Sequence, residues 1–199
     1  IIDALGLIFK VNHRYSFESS EDDDQFLEGT GSMILDRPNK IVYACLSPRT
    51  NIFLLDRFCL LMNYQLVSFF STDQNNKEIY HTNVMMAIAD KYAVVCLESI
   101  RDEDKRNEVI HSLENSGKEI IEISFDQVLQ FAGNMLQVEG SGGQKYMVMS
   151  ERAYNSLSKE QINAIEMYDK ILSIPINNIE KYGGGSVRCM MAEVFLPKK

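Results

Sequence analysis

Val84-Met85-Met86-Ala87-Ile88-Ala89-Asp90-Lys91-Tyr92-Ala93-Val94-Val95-Cys96-Leu97 is the stretch on which the architecture turns. Two apolar runs flank the polar pair Asp90-Lys91, and that pattern predicts a β-hairpin. A charged stretch follows at residues 102–115 and closes on Ser116-Gly117, an ordinary helix stop. Glu119-Ile120-Ile121-Glu122-Ile123-Ser124 then reads as another strand.

The same order occurs on either side. Upstream, Met33-Ile34-Leu35-Asp36 turns at Arg37-Pro38-Asn39-Lys40 and returns as Ile41-Val42-Tyr43-Ala44-Cys45-Leu46. Phe53, Leu54, Phe58, Leu61 and Met62 give helical spacing, and a strand resumes at residues 65–70. Downstream, Met135-Leu136-Gln137-Val138 and Tyr146-Met147-Val148-Met149 enclose Gly140-Ser141-Gly142-Gly143. The capping-box pattern Ser158-Lys159-Glu160-Gln161 opens a helix, and residues 171–176 follow as a strand. Residues 190–196 read as the start of a fourth copy. The unit is β-β-α-β with a period of about 50 residues, which indicates a radial or stacked architecture of α+β class.

Composition narrows the function. The chain has 199 residues, 45% hydrophobic and 24% charged, which suits one globular domain and excludes disordered or collagen-like sequences. No apolar run reaches the ~18–20 residues of a membrane helix, so no membrane association is expected. A formal charge of −8 argues against nucleic-acid binding, which rests on neutralising phosphates. Cys45, Cys59, Cys96 and Cys189 form no C-x-x-C pair, and His13, His81 and His111 form no H-E-x-x-H. Neither a zinc site nor a secreted disulfide framework is indicated; reduced thiols in a cytoplasmic protein are the simpler reading. No metal and no cofactor are called for.

The residues preceding the first strand of each copy are Ser32, Asn83, Asn134 and Cys189, separated by 51, 51 and 55 positions. Around a pseudo-symmetry axis these starts gather at one end, where loops on a rigid scaffold carry chemistry. Glu28, His81 and Cys189 would then converge as orienting carboxylate, proton shuttle and nucleophile. Taken singly, each has a plainer reading: a small buried thiol, a loop histidine, a solvated carboxylate. The Gly183-Gly184-Gly185-Ser186 run leads into a strand, which suits close backbone approach better than a phosphate cradle at a helix start.

Five blocks carry a family resemblance across nearly the whole chain: residues 26–33 (Phe-Leu-Glu-Gly-Thr-Gly-Ser-Met), 43–50, 81–86 (His-Thr-Asn-Val-Met-Met), 131–137 and 183–190 (Gly-Gly-Gly-Ser-Val-Arg-Cys-Met). Together they resemble the amidinotransferase / arginine-deiminase-related family of the guanidino-group-modifying superfamily, nearest the citrulline-utilisation hydrolase type. The resemblance implies the pentein fold, an α/β propeller of five ββαβ units around a pseudo-five-fold axis with the site on the axis. It implies Cys189 as nucleophile, His81 as general acid/base and Glu28 as its partner, with Asn83, Ser32 and Arg188 beside them binding a small guanidino or ureido substrate. The expected reaction is C–N hydrolysis through a Cys-bound intermediate. Amidino transfer to an amine and a non-catalytic scaffold are the alternatives.

Two departures bear on the substrate. Arginine deiminases show His-x-Asp and Glu-Gly-Gly-Asp, whereas this chain has Asn83 and Gly31 at those positions. An amide both donates and accepts, which suits a neutral ureido group such as that of citrulline better than a cation. The chain also opens on Ile1-Ile2-Asp3-Ala4-Leu5, in place of the superfamily's first repeat. One domain over residues 1–199 is therefore expected: full repeats at about 32–72, 83–124 and 134–176, partial units at 1–12 and 188–196, and no N-terminal repeat. A homo-oligomer is compatible with this arrangement.

Overall fold

The computed structural model describes residues 1–199. Each of the three hairpins forms and is completed by a third strand lying parallel to its second. In the first unit β1 (Ile34–Asp36) pairs antiparallel with β2 (Ile41–Cys45), and helix α3 (Ile52–Met62) returns the chain to β3 (Gln65–Phe69), parallel to β2. The second unit repeats this with β4 (Met86–Ile88), β5 (Tyr92–Val95), α4 (Glu103–Asn115) and β6 (Glu119–Glu122). The third has β7 (Leu136–Glu139), β8 (Lys145–Ser150), α6 (Glu151–Ser156), α7 (Lys159–Glu166) and β9 (Lys170–Ile174). Short helices α1 (Ile2–Ile8), α2 (Gly29–Ser32), α5 (Phe125–Leu129) and α8 (Asn177–Gly183) precede, join or follow the units.

Local chemistry accounts for the boundaries. Asn51 and Asp102 side chains accept backbone N–H groups at the starts of α3 and α4. Ser158 and Gln161 form the reciprocal capping box read from the sequence, and Ser124 with Gln127 forms another at α5. Helix α4 ends at Gly117, whose φ of 76° lets the Lys118 N–H return to the Leu113 carbonyl.

The middle strands are buried on both faces, and their alternation divides the core. Val42 and Ala44 point into a small cluster with Leu55 and Cys59 of α3, while Tyr43 and Cys45 point into the main cluster. That main cluster joins 28 buried residues from all three units, so most of the core is shared among them. The methionines Met85, Met86, Met135, Met147 and Met149 are fully buried within it, filling gaps between sheets. The first strands of the units, through Ile34, Ala87 and Leu136 among others, line one cavity of about 530 Å³.

Polar contacts join neighbouring units. The Tyr43 hydroxyl of the first unit lies 2.8 Å from the Ser112 hydroxyl of the second, and Tyr92 of the second donates to Asp169 of the third at 2.7 Å. Burial and the Asp169 carboxylate push the Tyr92 phenol well above its usual range. Asp36 and Lys118 form an ion pair of 2.9 Å with both side chains almost fully buried, tying the end of β1 to the turn before β6.

The sequence reading fails at the C-terminus. Residues 190–196 form no strand: a 3-10 turn covers Arg188–Met190 and the following segment makes no ladder. Its groups are engaged otherwise, with Arg188 donating to the Met191 carbonyl and Arg37 stacking 4.2 Å over Phe195. Near the N-terminus helix α1 is followed not by a strand but by single bridge Phe9–Lys198. No helix is long and apolar enough to cross a membrane.

Lys118→Met should strand Asp36 as a buried unpaired carboxylate and cost about 3–5 kcal/mol in urea denaturation, whereas the double change Lys118→Met with Asp36→Leu should recover most of that loss.

Candidate active site

Glu28 begins the Gly29–Ser32 turn, and two hydroxyls fix where that turn stands. Ser32 accepts the Glu28 N–H at 3.0 Å and donates to the Arg49 carbonyl at 2.8 Å. Thr82 donates to the Ser32 carbonyl at 2.5 Å and accepts the Cys45 N–H at 2.8 Å. The glutamate loop of the first unit is thereby tied to the turn that follows His81 in the second. Ser32 is fully buried in this work, so its hydroxyl positions Glu28.

The consequence is a 2.6 Å hydrogen bond between His81 Nε2 and Glu28 Oε2. A carboxylate only accepts, so it assigns a proton to Nε2 and leaves Nδ1 as the nitrogen that can exchange a proton with substrate. Arg49 Nη1 stands 3.6 Å from the same carboxylate oxygen and stacks on Tyr80, whose ring in turn lies 4.8 Å from the imidazole. The His81 ring packs on Gly31: a Cβ there would meet Cε1 and Nδ1 at 3.0 Å. A side chain at position 31 would therefore require this ring to give by a few tenths of an ångström.

Cys189 lies in the 3-10 turn Arg188–Met190 and is exposed, whereas Cys45, Cys59 and Cys96 are buried. Its sulfur receives the Asn134 amide at 3.3 Å and the Asn83 amide at 3.9 Å. The Asn134 orientation is fixed from both ends: Oδ1 accepts the Arg188 N–H at 3.1 Å, and Nδ2 donates to the Asn83 carbonyl at 3.0 Å. The remaining Nδ2 proton is thus available to the sulfur. Asn83 Oδ1 is buried with no partner. Since His81 is two residues before Asn83, the histidine–glutamate pair and the thiol share the Thr82–Val84 turn as their common support.

Arg188 is placed differently from a substrate ligand. Its buried guanidinium donates to the Met191 carbonyl and pairs with Glu193 at 3.4 Å. Burial lowers its pKa, while the charges of Glu193 and Cys189 act in the opposite direction. Its main contact with the site is through its backbone N–H on Asn134. Asn134, Thr82 and Arg49 are the site-building residues to which the sequence reading gave no role. For Asn134 the signal was there: it falls 51 positions after Asn83 at the start of a repeat.

Comparison with known proteins bears on the family and the fold. Residues 1–196 match the family described as N,N dimethylarginine dimethylhydrolase, eukaryotic. The chain belongs to this family. It lies within the guanidino-group-modifying pentein superfamily, whose solved members share the fold at low identity. ArgZ, an arginine dihydrolase from the ornithine-ammonia cycle in Cyanobacteria, superposes with TM-score 0.66 at 17% identity, covering 86% of this chain and 26% of that one. AgrE in its binary complex with L-arginine gives 0.68 at 18%, covering 87% and 24%. Agmatine deiminase from C. jejuni with substrate bound gives 0.50 at 12%, covering 94% and 66%. The chain thus spans about a quarter of the length of ArgZ and AgrE. No curated protein matches by sequence.

Two outcomes test the geometry. Burial pushes Cys45, Cys59 and Cys96 up to about 11, so brief iodoacetamide treatment near neutral pH should alkylate Cys189 alone, as read by peptide mass mapping. Gly31→Ala should displace the His81 ring by a few tenths of an ångström and reduce kcat/KM by about 10-fold, less than the ~10²-fold scale of a ~1 Å misplacement, while far-UV circular dichroism stays unchanged.

Proposed function

We propose that this chain carries the reacting residues of a hydrolase that cleaves a C–N bond of a guanidino or ureido group through a Cys189 adduct. The observation that carries the reading is the environment of one exposed sulfur. Two amides, Asn134 and Asn83, donate to it, and the turn that supplies Asn83 also holds His81 against Glu28. Family membership and the pentein likeness support the same reaction class. The three ββαβ units are read as sectors of the pentein propeller, an arrangement favoured by their first strands lining one cavity.

In this mechanism the Cys189 thiolate attacks the central carbon of the substrate and forms a C–S bond. The Asn134 amide, 3.3 Å away, is placed to donate to the sulfur. His81, protonated, gives its proton to the departing nitrogen as the C–N bond breaks. What remains is an S-alkylthiouronium from a guanidino substrate, or an S-carbamoyl group from a ureido one. His81 then takes a proton from water, the resulting hydroxide adds to the same carbon, and the C–S bond breaks to restore the thiolate. Glu28 stabilises the imidazolium at both stages. Ser32 keeps Glu28 in place and Arg188 shapes the turn around Cys189.

The preferred substrate in this reading is a neutral ureido compound such as citrulline. The buried, unpartnered Oδ1 of Asn83 offers a neutral acceptor to a substrate N–H, and position 31 offers no carboxylate. The guanidino alternative is favoured by relatives whose substrates are arginine or agmatine.

Steady-state assays should give a higher kcat/KM for citrulline than for arginine, dimethylarginine or agmatine; a clear arginine preference would reverse the substrate assignment. Product release unchanged by added acceptor amines distinguishes hydrolysis from amidino transfer. Cys189→Ala should abolish turnover, and Asn134→Ala should lower kcat by about 10²-fold, the scale of misplacing a reacting group by about 1 Å.

A further inference from the structure

Helix α8 contains a buried acid that the proposed chemistry does not use. Glu180 is 4% exposed, and its Oε1 accepts the Ser186 hydroxyl at 2.7 Å. Oε2 is buried with no partner. A carboxylate held with half its hydrogen bonds unmade is costly, and such a group in a folded protein calls for a compensating role.

The role is visible in what Ser186 controls. Gly183, Gly184 and Gly185 separate α8 from the nucleophile turn and supply no side chain to anchor it; Gly184 has φ 71°. The Ser186–Glu180 bond is the one side-chain hydrogen bond made between Gly183 and Val187. The Ser186 carbonyl accepts the Cys189 N–H at 3.1 Å, closing the turn that presents the thiol. Gly185 lies so near that a Cβ would stand 3.4 Å from the Cys189 sulfur. A shift of Ser186 is therefore passed directly to the sulfur and to its 3.3 Å contact with Asn134.

We infer that Glu180 and Ser186 are a buried positioning pair that holds the glycine loop closed and so sets the Cys189 sulfur against the Asn134 amide. The pair acts through Cys189 and has no part in bond making; the inference rests on Cys189 being the reactive thiol of the proposed hydrolase. The carboxylate suits the task because a charge-assisted hydrogen bond to a hydroxyl is short and strong, where an amide would make a weaker one. Gly184 takes a φ of 71° that favours glycine, and a loop of glycines needs an anchor of this kind.

The test uses the full chain with Ser186→Ala, Glu180→Gln, Glu180→Leu and the double variant Glu180→Leu with Ser186→Ala. Three readouts are taken: the rate of Cys189 alkylation by iodoacetamide against pH, kcat and KM separately, and the thermal midpoint. Ser186→Ala and Glu180→Leu should each slow alkylation and cut kcat by about 10²-fold, with KM little changed. Glu180→Gln keeps an acceptor and should retain most of both. The double variant should be no worse than either single change, because one interaction is lost once. Wild-type alkylation in Ser186→Ala, or additive losses in the double variant, would overturn the pair, as would losses that track the thermal midpoint. Should Glu180→Leu fail to fold, Ser186→Ala against Glu180→Gln carries the comparison. Alkylation needs no turnover, so the two readings fail separately. An alkylation defect in a chain that hydrolyses none of the substrates keeps the pair and sinks the hydrolase; turnover with unaltered alkylation does the reverse.

Discussion

One side-chain amide joins three parts of this chain that are far apart in sequence. Asn134 takes the Arg188 N–H on its oxygen, gives one proton to the Asn83 carbonyl, and has its other proton within 3.3 Å of the Cys189 sulfur. Each contact removes an alternative: the first two leave the amide no freedom to flip, and the third follows from them. Gly133 beside it shows how tightly the second and third units meet there, since a Cβ at that position would stand 2.9 Å from the Met85 backbone. The placement of the proposed nucleophile is therefore a product of how the units pack against each other.

The second half of the site is built on the same principle with different residues. The Thr82 hydroxyl of the second unit bonds the Ser32 carbonyl and the Cys45 N–H of the first, the Ser32 hydroxyl holds Glu28 within the first unit, and the His81–Glu28 contact is the result. Small polar side chains suit these places because each hydroxyl both donates and accepts, so two buried backbone groups are satisfied at once. Two tyrosines also reach across to the next unit, Tyr43 to Ser112 and Tyr92 to Asp169. With a main core that no single unit owns, these polar junctions set the relative position of the units and the geometry of the candidate site together.

Much of the fold was legible because the signals are local. Alternating apolar runs gave the strands, Asp90-Lys91 and Arg37-Pro38-Asn39-Lys40 the hairpins, and Ser158 with Gln161 a helix start. Residues 190–196 misled for the same reason: an apolar run resembling a strand forms one only with an edge to pair with, and here Arg37, Arg188 and Glu193 fasten it as a loop instead. Helices α5 and α8 escaped notice because at 5 and 7 residues they carry too little periodicity to read.

The sequence by itself determined the β-β-α-β unit, its recurrence, and the family blocks that single out Glu28, His81 and Cys189. Those follow from spacing of apolar residues, turn chemistry and short motifs, all of which act over a few positions. Tertiary structure alone decided that Arg188 turns inward while its N–H orients Asn134, that Gly31 packs beneath the His81 ring, and that Glu180 reaches Ser186. Such contacts depend on distances between packed elements, set to within tenths of an ångström by close packing of the whole core, and no local pattern encodes them.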